Sequence, residues 1–115
     1  MKWNVRYLEE AYCDLKNLDN SIQKLVVKAI RKVSQNPFPN NEGGYGKPLS
    51  NQKDSKLAGL LKIKLLKAGI RIVYRLEIKD GVMEIVVISV RDDKKVYKMA
   101  HQRINSWKTG YLYKF

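Results

Sequence analysis

From Leu57 to Val90 the chain falls into three strand-like runs separated by Ala68-Gly69 and Asp80-Gly81, and the first two alternate apolar and polar residues with a period of two. Successive side chains of a strand point to opposite faces, so this pattern commits the segment to a sheet with one apolar face. A one-residue slip would invert the whole set. The first run, Leu57 to Leu66, puts Leu61, Ile63 and Leu65 on one side and Lys62 and Lys64 on the other. The second, Ile70 to Ile78, turns Ile70, Ile72, Tyr74, Leu76 and Ile78 inward and Arg71, Val73 and Arg75 outward. The third, Val82 to Val90, completes an antiparallel run joined by short glycine-bearing turns.

A two-residue loop at Ala68-Gly69 pairs Leu65 with Ile72, Ile63 with Tyr74 and Leu61 with Leu76. It also sets Lys62 opposite Arg75 and Lys64 opposite Val73. Like charges opposed across strands destabilise by a few tenths of a kcal/mol up to about 1 kcal/mol, so an anion is expected on this face. Continued through a two-residue Asp80-Gly81 turn, the third strand aims Arg91 at the Ile70 side. A bulge, or the end of the strand, must redirect Arg91 if it is to join the cations.

The flanking segments are mostly helical. Trp3, Val5 and Tyr7 alternate with Asn4 and Arg6, which predicts a short opening strand within Met1 to Leu8. Leu8, Ala11, Tyr12, Leu15 and Leu18 then form one helical stripe. After a break at Asp19-Asn20-Ser21, a second stripe runs through Ile22, Leu25, Val26, Ala29, Ile30 and Val33. Asn36-Pro37-Phe38-Pro39 ends it, since proline cannot continue a helix. A polar, glycine-bearing stretch to Lys56 includes Gly46-Lys47-Pro48-Leu49, and a loop of that length in a small domain is usually functional or mobile. Lys94 to Trp107 reads as a closing helix, with Val96, Met99, Ala100, Ile104 and Trp107 at helical intervals. Residues 109–115 read as a loose aromatic tail.

The expected architecture is a single α+β domain over residues 1–115: a strand, a helical hairpin, an antiparallel-rich sheet and a C-terminal helix. The helices are expected on one sheet face and the site on the other. A chain of 115 residues can bury one core without covalent staples. Lys and Arg number 23 against 11 acidic residues, a net charge of +12 that favours nucleic acid or an acidic protein as partner. One cysteine and one histidine cannot build a disulfide or a tetrahedral zinc site, and the expected compartment is a reducing cytoplasm. No apolar run reaches the roughly 18 to 20 residues of a membrane span, and the N-terminus lacks a signal-peptide core.

Phosphate-loop, nucleophile-elbow and metal-cluster motifs are all missing. His101, on the closing helix, reads as a surface or helix-end residue. The remaining residues with chemistry to offer are Lys62, Lys64, Arg71, Arg75, Arg91, Tyr97 and the cations of the closing helix. They suit a phosphodiester. RNA carries its own nucleophile in the 2'-hydroxyl, so a protein need only align it, take its proton and stabilise charge on phosphorus.

Leu57-Ala58-Gly59-Leu60-Leu61-Lys62-Ile63-Lys64, Gly69-Ile70-Arg71-Ile72-Val73-Tyr74-Arg75, Val86-Val87-Ile88-Ser89-Val90-Arg91 and Val96-Tyr97-Lys98 follow two helices and an Asn-Pro loop. In that order and spacing, over Trp3 to about Ile104, the sequence resembles the bacterial RelE/ParE superfamily of type II toxin-antitoxin toxins. It is most similar to the RelE branch, whose members cleave messenger RNA in the ribosomal A site. The resemblance implies that Lys62 and Lys64 help activate the 2'-hydroxyl and bind phosphate. It implies that Arg71 steadies charge on the scissile phosphate, that Arg91 supports the leaving group and that Tyr97 orients the nucleotide. Around these, Lys47, Arg75, Lys94, Lys95 and Lys98 are candidate RNA-binding residues.

The resemblance further implies a cognate antitoxin as partner, messenger RNA and the ribosome as targets, and neither cofactor nor metal. Two other functions stay open at this point. One is a ParE-like inhibitor of DNA gyrase, since a shared fold does not fix activity. The other is a non-catalytic basic module that binds nucleic acid mainly through phosphate.

Overall fold

The computed structural model describes residues 3–49, 59–90, 93–106 and 112–114. In chain order the elements are β1 (Asn4–Leu8), α1 (Glu9–Lys16), α2 (Asn20–Val33), β2 (Lys47–Pro48), β3 (Leu60–Leu65), β4 (Ile70–Glu77), β5 (Val82–Ser89), α3 (Asp93–Ser106) and β6 (Leu112–Lys114). They form one sheet of order β2-β3-β4-β5-β1-β6. β1 runs parallel to β5, while the other neighbours are antiparallel. The tail read as loose from the sequence contributes β6, paired to β1 through Tyr7 and Tyr113.

α1 opens with Glu9 and Glu10 and ends on Lys16, charges that complement the helix dipole. It buries Ala11 and Leu15, while α2 buries Val26, Ile30 and Val33. The α2 stripe is narrower than its spacing suggests: Leu25 is 49% exposed and Val27 packs against the core instead. The hairpin is tied to the sheet where the Trp3 amide donates to the Ser34 carbonyl at 3.0 Å.

The stretch after α2 is not featureless up to Leu49. Asn40–Glu42 makes a 3-10 turn, and the Asn40 amide donates to the Gly46 carbonyl at 2.6 Å. The Tyr74 hydroxyl, buried on the inner sheet face, donates to the Pro37 carbonyl at 2.7 Å. Gly46 lies against that hydroxyl, where a Cβ would collide with it and with Leu61. Tyr74 thus pins the loop that leads into β2.

α3 departs from the expected arrangement with all helices on one face. It packs on β4 and β5, and its Tyr97 reaches Lys62, which points to the face opposite the hairpin. The reason lies in the outer face itself. Val73 and Val87 stand there among the cations, and both are fully buried together with Val96 and Ala100 of α3. An apolar strip on a polar face needs cover, and α3 supplies it.

Candidate active site

The β3-β4 connection is a four-residue turn over Leu66, Lys67, Ala68 and Gly69, with Gly69 at φ 65°. The expected two-residue loop is therefore incorrect, and the pairing shifts by two. Lys62 opposes Val73, and Lys64 opposes Arg71. An even shift leaves every side chain on its predicted face. It moves the direct like-charge opposition from Lys62 to the Lys64–Arg71 pair, and β2 adds another by setting Lys47 against Lys62.

β4 and β5 pair regularly from Glu77–Val82 to Tyr74–Ile85, after which Val73 pairs with Val87. Val86 is the extra residue of a β-bulge. Beyond it Ser89 opposes Arg71, so the far half of β5 turns its odd-numbered residues toward the cations. That is the redirection a place for Arg91 in the site requires. Arg91 itself lies outside the described residues.

Past the end of β1, the free edge of β5 is closed by side chains. The Ile88 amide donates to Asp14 Oδ2 at 3.0 Å, and Arg103 Nη1 donates to the Val86 carbonyl at 2.9 Å. Arg103 also grips Asp14, Nη1 to Oδ2 at 2.7 Å and Nη2 to Oδ1 at 3.2 Å. A forked pair of this kind fixes both distance and orientation. It ties α1, β5 and α3 together and holds α3 over the outer face.

Tyr97, six residues before Arg103 on that helix, meets Lys62. The Lys62 Nζ donates to the Tyr97 hydroxyl at 2.5 Å and stands 5.2 Å from the ring centroid. Lys62, Lys64, Arg71 and Tyr97 therefore share one half-buried face, with exposed Lys47 beside Lys62. Lys94 lies one turn before Tyr97 on the same side of α3, and His101 one turn after it. Lys95 and Lys98 line a separate shallow groove with Met99 and Gln102.

Arg75, grouped by sequence with the RNA-binding cations, has a different environment. Its Nε donates to Glu84 Oε1 at 2.6 Å, and Glu84 is fully buried. Arg6 Nε stands 3.6 Å from the other carboxylate oxygen. Glu84, Arg6, Asp14 and Arg103 were not singled out by the sequence pattern. The available signal was Glu84, an acid within the otherwise apolar Val82-Met83-Glu84-Ile85-Val86-Val87.

The described residues hold no group of three or more His, Cys, Asp or Glu suited to a metal ion. The arrangement instead offers two cations opposed across strands, a lysine-tyrosine pair beside them and a basic rim. Such a face can bind a phosphodiester, neutralise charge as it builds on phosphorus and pass a proton through the Lys62–Tyr97 contact.

No family model matches the chain. A protein of Escherichia coli described as a RelE-like toxin is 27% identical over 104 residues, covering 90% of this chain and 99% of that one. A double arginine-to-alanine variant of the Escherichia coli toxin RelE in its free state superposes with a TM-score of 0.67 at 21% identity, over 90% of this chain and 99% of that one. A RelBE toxin-antitoxin complex from Mycobacterium tuberculosis matches with a TM-score of 0.63 at 26% identity, over 79% of this chain and 100% of that one. By sequence the chain is similar to a RelE-like toxin, and by fold it is similar to RelE toxins.

Proposed function

We propose that this protein is a RelE-like toxin, an endoribonuclease that cleaves messenger RNA in the ribosomal A site by attack of the 2'-hydroxyl, without a metal ion. The observation that carries the reading is the Lys62–Tyr97 contact at 2.5 Å, set beside the opposed Lys64 and Arg71. In the proposed reaction the ribose 2'-oxygen gives its proton to Lys62 Nζ, which acts as a free amine steadied by the Tyr97 hydroxyl, and bonds to phosphorus. Lys64 and Arg71 hold the non-bridging oxygens as charge builds there. The P–O5' bond then breaks, the 5'-oxygen takes up a proton from water, and the products carry a 2',3'-cyclic phosphate and a 5'-hydroxyl. Arg91 would support that leaving oxygen.

The similarity to a toxin solved with its antitoxin supports an antitoxin partner for this chain as well. Purified protein should cut messenger RNA when added to translating ribosomes, with or without EDTA, and leave gyrase supercoiling unchanged. Lys62→Ala or Arg71→Ala should lower the cleavage rate by about 100-fold or more while the protein still folds. A Lys62→Ala/Arg71→Ala protein that remains fully toxic, or intact RNA beside inhibited supercoiling, contradicts the proposal.

A further inference from the structure

The helical hairpin carries a second cationic surface, separated from the Lys62–Tyr97 face by the sheet. α2 holds four cations, Lys24, Lys28, Arg31 and Lys32, and no acidic residue. Lys24, Lys28 and Arg31 recur at i, i+4 and i+7 and so share one stripe, although like charges at this spacing weaken a helix. None of the three makes an ion pair among the described residues. A shallow groove runs along the stripe, with Gln23 and Val27 in its wall.

That groove is continuous with a cavity between the hairpin and β1, because Gln23, Val27 and Arg31 line both. The cavity measures about 700 Å³, within the size range of ligand sites. Trp3, Tyr12 and Lys16 also face it, and the Lys16 Nζ stands 5.8 Å from the Tyr12 ring centroid. Aromatic rings interleaved with cations suit an unpaired strand: the rings stack on bases and the cations follow phosphates. A partner docking as an amphipathic helix would need a row of apolar anchors. Leu25 is the one large apolar residue of α2 that is exposed, which favours a nucleic acid over a protein here.

We propose that the α2 stripe and the adjoining aromatic cavity form a second RNA-binding site, which holds a segment of RNA distinct from the one at Lys62. The stripe takes the phosphates, and the cavity takes an unstacked base. The choice of RNA as ligand rests on the cleavage reading above, but the site's existence does not.

The test uses the full chain carrying Lys62→Ala, so that a short fluorescein-labelled single-stranded RNA survives, and follows its anisotropy across a salt series. Adding Lys24→Gln, Lys28→Gln and Arg31→Gln should weaken binding about tenfold or more near 0.1 M salt. The slope of log affinity against log salt should fall by about 2, from roughly 0.7 per neutralised phosphate. The three side chains are exposed, and an unchanged melting temperature will show that the fold is kept. In a Trp107→Phe background, Trp3 emission should be quenched by RNA only while the three cations are present. Equal affinity and slope with and without the substitutions overturn the proposal, as does loss of protein-partner binding with RNA binding intact. Cleavage is scored separately with Lys62 present. If RNA is never cut yet the triple variant binds weakly, the cleavage reading falls and this site stands. If RNA is cut while both proteins bind alike, the reverse holds.

Discussion

Lys62 and Tyr97 lie 35 positions apart, yet the lysine Nζ donates to the tyrosine hydroxyl at 2.5 Å and also approaches the ring face. The two contacts can be separated chemically. Tyr97→Phe keeps the ring and removes the hydroxyl, so it should lower RNA cleavage by about tenfold, the upper worth of one ordinary hydrogen bond. Tyr97→Ala removes the stacking surface as well and should cost about tenfold more. Single-turnover rates on ribosome-bound messenger RNA check this, and equal rates for the two variants would reduce Tyr97 to a packing residue.

Glu84 is the countercharge for two arginines and is itself fully buried. Removing one member of a buried ion pair leaves the others without compensation, at a cost of about 3 kcal/mol or more. Glu84→Gln should therefore lower the urea midpoint sharply. Arg75→Met fills similar volume and leaves Arg6 beside Glu84, so it should cost less and leave RNA cleavage near normal, because Arg75 is held by Glu84 rather than presented to the cation face. A large loss of cleavage in a well-folded Arg75→Met protein would restore it to the RNA-binding set.

The faces of the sheet were legible from the sequence because an alternation of period two leaves no freedom in which side a residue takes. Register was not, because it depends on turn length, and nothing in the alternation tells whether Leu66 ends a strand or begins a turn. Leu66 is 84% exposed and belongs to the turn. The side taken by α3 was signalled by Val73, an apolar residue among cations that only a covering element could bury. Glu84 carried the equivalent signal for the buried charge cluster. Long-range pairs such as Asp14 with Arg103 leave no local pattern, since they are set by where the edge of β5 is left unpaired.

Gly46 sits against the Tyr74 hydroxyl, which in turn holds the Pro37 carbonyl at 2.7 Å. Gly46→Ala forces a methyl into that contact and should destabilise the protein by about 1 to 3 kcal/mol, the usual cost of overpacking. Tyr74→Phe should cost about 1 to 2 kcal/mol by leaving the Pro37 carbonyl unsatisfied. The hydroxyl is the main obstacle, so the two costs should fall short of additive in the double variant. Urea unfolding of the four proteins forms the cycle, and strict additivity would show that the glycine is required for another reason.

Tyr74 and the likewise buried Tyr7 of β1 make alkaline stability a readout of burial. Burial pushes the Tyr7 hydroxyl up to about 12, partly offset by the Arg31 guanidinium, and raises Tyr74 further. Above the ordinary tyrosine value near 10, the unfolded chain releases these protons while the folded chain keeps them. The stabilisation they contribute is thus complete below about pH 10 and declines as pH rises toward 12 and beyond. Each can contribute a slope of up to about 1.4 kcal/mol per pH unit. Urea midpoints measured between about pH 9 and pH 11.5 should fall steeply above 10, and Tyr74→Phe should flatten that fall. A Tyr74→Phe protein with the same pH slope as the parent would show that Tyr74 ionises freely in the folded state.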